Sequence, residues 1–180
     1  MNFQLSAFGS TDLPWSVDGN FAYHEEKFTY KLRIIGPIND LKIPANLYTF
    51  QRQNNLWKST CFEIFFLHQD GTYLEFNFSP SGQWNSYYFE GYRKFISEQA
   101  LSQIPEIIWE ISPHSILMTF SYQFIFPNTL KFNPALVMET QKSETYYWSC
   151  NHQNLKPDFH YLENFIDIDT SNKNKQFLDI

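Results

Sequence analysis

From Thr60 to Arg93 the chain reads TCFEIFFLHQDGTYLEFNFSPSGQWNSYYFEGYR, with large apolar side chains on alternate positions either side of His68-Gln69-Asp70-Gly71. A period of two is the signature of a strand and Asp-Gly is a turn signal, so the stretch predicts a β-hairpin. If Gln69 to Gly71 form a three-residue loop with Gly71 in the left-handed region, His68 pairs with Thr72. Phe62 then lies opposite Phe78, Glu63 opposite Asn77 and Phe65 opposite Glu75. One face carries Phe62, Ile64, Phe66, Leu74, Phe76 and Phe78, and is core. The other carries Cys61, Glu63, Phe65, Leu67, Tyr73, Glu75, Asn77 and Ser79. Its mixture of carboxyl, amide and aromatic groups suits a ligand-binding face.

The remaining pattern is also strand-like. Phe3 to Phe8 reads as a weak strand, followed by a turn-rich stretch to Asn20 that contains Pro14 and Gly19. Across Phe21 to Ile35, Phe28, Tyr30, Leu32 and Ile34 alternate with Thr29, Lys31 and Arg33, giving one strand with a solvated face. Gly36-Pro37 ends it, and Asp40 to Asn55 reads as a loop. A strand is predicted over Gln83–Glu90, and one short helical turn within Phe95 to Gln103, stopped by Pro105. Strands follow over Glu106–Ile111, Ser115–Phe126, Phe132–Thr140 and Thr145–Ser149. Asn151 to Glu163 is irregular, and Phe165 to Ile168 closes a sheet. Short strands between turn signals predict an all-β fold with little helix. The expected form is a two-sheet antiparallel β-sandwich, jelly-roll or immunoglobulin-like, as a single domain over residues 1–180. A closed barrel is the alternative.

Composition narrows the function classes. Aromatic residues make up 19% of the 180, and charged residues only 18%. That balance suits a pleated surface and leaves aromatic rings available for stacking on sugars. The net charge of −6, with no basic cluster, disfavours nucleic acid as a partner. No apolar run approaches a membrane span, and the N-terminus lacks a basic region followed by an apolar one. The two cysteines, Cys61 and Cys150, do not form a disulfide framework. A cytoplasmic protein without membrane association is therefore expected.

The strings LW-x-x-TCFE-x-F (from Leu56), YLEFNFSPSGQWNSYYFEGYR (Tyr73 to Arg93), YYWSCNH (Tyr146 to His152) and KPDFHYLENF (Lys156 to Phe165) resemble the DOMON-like proteins, a group related to the family 9 carbohydrate-binding modules. The blocks cover most of the chain from Trp57 onward. The resemblance implies a β-sandwich whose concave face or rim holds a small ligand: a sugar end between aromatic side chains or, in cytochrome-type members, a b-type haem.

A sugar site needs flat apolar surfaces against C–H faces and planar polar groups that bridge hydroxyls. Trp57 and Trp84 are the candidate platforms, and Glu63, Glu75, Asn77 and Arg93 the polar partners. Ser79 lies near the mouth, and Trp148, His152, Asp158 and His160 approach from the C-terminal loop. A structural ion pair of Glu63 with Arg93 is the competing account of that carboxyl. The expected function is non-catalytic binding of a small molecule, a saccharide foremost, with no cofactor. One alternative is a sugar-modifying hydrolase using Glu63 and Glu75, since such enzymes hold two carboxyls about 5 to 9.5 Å apart. The other is a haem or metal protein, drawing on Met118 or Met138 with a histidine, or on His152, Asp158 and His160.

Overall fold

The computed structural model describes residues 1–24, 27–43, 50–123 and 129–168. Twelve β-strands and three single 3-10 turns make up the regular structure among them, with no α-helix. The strands are β1 (Asn2–Ala7), β2 (Ser16–His24), β3 (Lys27–Ile35), β4 (Cys61–His68), β5 (Tyr73–Phe78) and β6 (Trp84–Phe89). Next come β7 (Phe95–Glu98), β8 (Glu106–Ser112), β9 (Ser115–Gln123), β10 (Thr129–Glu139), β11 (Thr145–Ser149) and β12 (Ile166–Asp167). All named pairings are antiparallel.

Eleven strands run in one continuous order, β7-β6-β5-β4-β10-β11-β1-β2-β3-β9-β8, and β12 lies beside β10. β1 makes the sheet continuous. Asn2 to Leu5 pair with β2, whereas Ser6 and Ala7 pair with β11. The sheet curls there as a half-barrel, and its two arms face one another. Rings from the arms interdigitate: Phe21 with Phe132 (4.8 Å between centroids), Phe28 with Phe66 (5.1 Å), Phe78 with Phe120 (4.5 Å) and Phe62 with Trp109 (5.0 Å). Offset and edge-on rings add to the apolar burial that holds the arms together.

The β4–β5 hairpin has the predicted register, Phe62–Phe78 through Leu67–Tyr73. The His68 amide donates to the Thr72 carbonyl at 2.9 Å, and Gly71 takes φ +84°, a conformation glycine adopts without strain. Two expectations are corrected. Gly19 marks no turn. It lies inside β2, where an added Cβ would stand 2.4 Å from the Phe3 ring and 2.5 Å from the Lys31 carbonyl. Its missing side chain lets Phe3 cross the sheet and stack on Tyr30 at 6.1 Å. Phe95 to Glu98 is not helical either. It pairs with β6 as an edge strand, because ladder bonds along Tyr87 and Tyr88 outweigh a weak local helix preference. The predicted strand over 21–35 is the second half of β2 plus β3, and the turn between them lies outside the described residues. So do the last residues of the strand predicted to Phe126 and part of the 40–55 loop.

The second face of the β4–β7 arm is roofed. The turn Leu56–Lys58 and the segment from Phe159 to Phe165 lie over Cys61, Phe65, Tyr73, Tyr87, Phe89 and Val137, forming a second, smaller core. β4 and β5 are therefore buried on both sides, and every residue of β5 is buried.

Candidate functional site

Strand parity places side chains beneath this roof in cross-sheet rows. One row runs Asn85–Asn77–Glu63–Ala135, and the next runs Glu98–Tyr87–Glu75–Phe65–Asn133. Glu63 and Asn77 share a face, as predicted, but they do not line an open hollow. Glu63 is 3% exposed, Glu75 4% and Asn77 0%. Filling by Phe65, Tyr73, Phe89 and Phe159 closes the floor.

Two carboxyls in such surroundings favour the neutral acid. Burial first, and then the neighbouring Glu75 carboxyl, push Glu63 well above the ordinary carboxylate range. Burial also raises Glu75 to about 7, opposed by the Asn77 amide donating to Oε1 at 2.9 Å and by the charge of Arg93. His160 lies beside it, Nε2 to Oε2 3.9 Å, and burial pulls this imidazole down to about 4. The Tyr73 hydroxyl accepts from the Arg93 amide at 3.1 Å and is hydrogen-bonded to His160 Nδ1 at 2.9 Å, which turns Nε2 toward Glu75.

Arg93 is not the partner of Glu63. Its Nη2 donates to Asp158 Oδ1 at 2.8 Å, and Asp158 also accepts from the Tyr92 hydroxyl at 2.5 Å and from the His160 amide at 3.1 Å. Arg93 holds a left-handed backbone, φ 53°, in the β6–β7 turn. That conformation, costly outside glycine, points its amide at Tyr73 while its side chain ties the turn to the roof. Asp158 and His160 thus join the site through Arg93 and Tyr73.

The tryptophans divide. Trp57 is 41% exposed at the lip of the roof and stands edge-on to Tyr87, 5.7 Å between centroids. Trp84 pairs with Phe78 on the core-facing side, 5% exposed, with the Arg52 guanidinium 5.0 Å over its ring. Even-numbered positions on β6 point inward, which removes Trp84 from the Glu63–Asn77 face. Trp148 is likewise in the main core at 4%, opposite Leu136. Ser79 is buried in the β5–β6 turn, accepting from the Ser81 hydroxyl at 2.8 Å. His152 sits beside the C-terminal end of β1, where Nε2 meets the Ser6 carbonyl at 2.8 Å and the ring meets Phe8. Met118 and Met138 are fully buried in the main core. Among the described residues no group of three or more His, Cys, Asp or Glu is placed to hold a metal ion.

Two members of the lip escaped the sequence reading. Phe95, 55% exposed on β7, stands edge-on to Tyr87 at 6.2 Å and to Phe89 at 5.9 Å. Asn54 accepts from the Tyr87 hydroxyl at 2.8 Å and from Asn85 Nδ2 at 3.0 Å, and donates to Glu98 at 2.6 Å. Neither had a signal, since Phe95 sat in a helix-like window and Asn54 in a loop.

No protein-family model and no curated protein sequence matches the chain. Its fold is similar to that of a Bacteroides uniformis ATCC 8492 protein provisionally designated carbohydrate-binding, with TM-score 0.64 and 13% identity over 92% of this chain and 84% of that one. It is also similar to a family 9 carbohydrate-binding module from Caldicellulosiruptor kristjanssonii solved in complex with glucose. There the TM-score is 0.50 and the identity 8%, covering 87% of this chain and 74% of the module. Identities this low bear on the fold. Among the described residues no helix is long and apolar enough to cross a membrane.

Proposed function

We propose that this chain is a non-catalytic, DOMON-like sugar-binding domain, its two arms acting as the layers of a β-sandwich. Its site is the lip of the roofed face rather than the floor. The observation that carries this reading is the placing of Trp57 and Phe95, both exposed and both edge-on to Tyr87, beside a hydrogen-bonded Asn54–Tyr87–Glu98 group. Rings supply apolar faces for sugar C–H groups, and the amide, hydroxyl and carboxylate supply planar donors and acceptors. Glu63, Glu75 and Asn77 form the buried layer behind Tyr87, while Arg93, Asp158 and His160 brace the far side of the lip. The two similar folds support the choice of sugar, one being a glucose-bound module.

Calorimetric titration with glucose and with short oligosaccharides tests the proposal. Trp57→Ala should leave the melting temperature nearly unchanged and weaken binding about tenfold, the equivalent of about 1.4 kcal/mol. Absence of any response from the unmodified protein, or an affinity unchanged from the unmodified protein in both Trp57→Ala and Phe95→Ala, refutes it.

Hydrolysis by Glu63 and Glu75 is a second reading, favoured by the raised Glu75 carboxyl at about 7. The two sit diagonally on adjacent strands, a relation that spans about 7–8 Å. Burial of both beneath the roof weighs against it, since a scissile bond must lie between them. Release of reducing sugar from an oligosaccharide panel, lost in Glu75→Gln, would establish it.

A further inference from the structure

Two fully enclosed acceptors on directly opposed residues, Glu63 Oε1 and Asn77 Oδ1, have no donor. Leaving a buried acceptor unpaired is unfavourable, and two side by side would also repel. Opposed side chains on antiparallel strands stand with Cβ atoms about 4.5–5.5 Å apart, so the two oxygens are within reach of one hydrogen bond. An ionised carboxylate has no proton to give, whereas a carboxylic acid has one O–H donor.

We propose that Glu63 is a neutral acid that donates its hydroxyl proton to Asn77 Oδ1 and so acts as a positioning residue for the site above it. One proton satisfies both orphaned acceptors. It also fixes the Asn77 amide with Nδ2 toward Glu75 Oε1, at 2.9 Å. Glu75 Oε2 is then left on the His160 side, and Glu75 becomes the group of this layer that exchanges protons near neutrality.

The neighbours of Glu63 fit a neutral acid. On its own strand stands the Cys61 thiol, on β5 Glu75 and on β6 Asn85 and Tyr87. From the opposite arm the Tyr30 hydroxyl donates to the Glu63 backbone carbonyl at 3.2 Å. His160 from the roof lies against Glu75, and the nearby Arg93 is committed to Asp158. Among the described residues no lysine or arginine forms an ion pair with Glu63. A captured cation would be the other way to satisfy two bare oxygens, and the experiment separates the two.

The infrared carbonyl stretch of a protonated carboxylic acid, recorded near neutral pH and shifted by deuterium, is the direct readout. It should persist in Glu75→Gln, where Glu75 contributes no acid proton, and vanish in the Glu63→Gln/Glu75→Gln double variant. Glutamine keeps both the shape and a donor for Asn77 Oδ1, so Glu63→Gln should melt with the unmodified protein while Glu63→Ala melts well below it. Absence of the band in Glu75→Gln, its survival in the double variant, or equal destabilisation of Glu63→Gln and Glu63→Ala overturns the assignment. Stabilisation by calcium or sodium ions that is lost in Glu63→Gln also overturns it, in favour of a cation. The positioning role rests on the proposed sugar site and is read separately with glucose: Glu63→Gln should keep the unmodified affinity and Glu63→Ala should lose most of it. If no form binds glucose, the sugar reading fails while the infrared result still decides the proton.

Discussion

Glu75 and His160 bias stability in opposite directions, and removing either one should expose the other. Glu75 is raised from 4.5 to about 7, so the folded chain holds a proton that the unfolded chain releases between those values. Its contribution is present below about pH 4.5 and is lost as pH rises through about 7. His160 is lowered from 6.5 to about 4, so the unfolded chain binds a proton that the folded chain refuses. Its contribution is present above about pH 6.5 and is lost as pH falls through about 4. Each displaced proton corresponds to about 3 kcal/mol, and the windows overlap over most of their length. Glu63, whose carboxyl burial also raises, displaces a third proton in the same sense as Glu75, so the comparison is made in the Glu63→Gln background, where the dependence across the acid range should be shallow. There, adding Glu75→Gln should make the chain more stable as pH rises from 4 to 6.5, and adding His160→Gln should make it less stable as pH rises from 4.5 to 7. For a chain of this size about 3 kcal/mol corresponds to roughly 6–12 °C in melting temperature. Thermal melts of Glu63→Gln and the two double variants at half-unit pH steps measure both slopes. Slopes of the same sign in the two double variants, or a steep dependence in Glu63→Gln that neither added substitution changes, would refute the opposed-proton account.

Two further outcomes follow from the packing. Gly19→Ala places a Cβ against the Phe3 ring and the Lys31 carbonyl, so it should destabilise the chain by about 1–3 kcal/mol, read as a lower urea midpoint at unchanged slope. Arg93→Ala removes the tie from the β6–β7 turn to Asp158, where the Arg93 side chain is half-exposed and Asp158 keeps the Tyr92 hydroxyl and the His160 amide as donors. Its effect on global stability should stay under about 1 kcal/mol, while amide exchange at Phe159 to Tyr161 accelerates. Unaltered exchange there would mean that Tyr73 and Asn133 hold the roof without Arg93.

Local chemistry in the chain was enough to define the central hairpin. Side-chain alternation has a period of two and the Asp-Gly loop admits few geometries, so Phe62–Phe78 and Glu63–Asn77 follow from residues 61 to 79 alone. The same logic assigned Phe28, Tyr30, Leu32 and Ile34 to the core. Tertiary structure decided which polar-face groups a ligand could reach. Periodicity says which side of a strand a residue takes, but it is silent on what a distant segment lays over that side. The segment from Phe159 to Phe165 arrives from far along the chain and, with the Leu56–Lys58 turn just before β4, converts an expected open face into a second core. Long-range contacts likewise drew Phe95 into an edge strand, left Trp57 at the lip while Trp84 turned inward, and gave Arg93 to Asp158 instead of Glu63. Such pairings depend on where strands meet in space, and neighbouring residues along the chain carry no record of that.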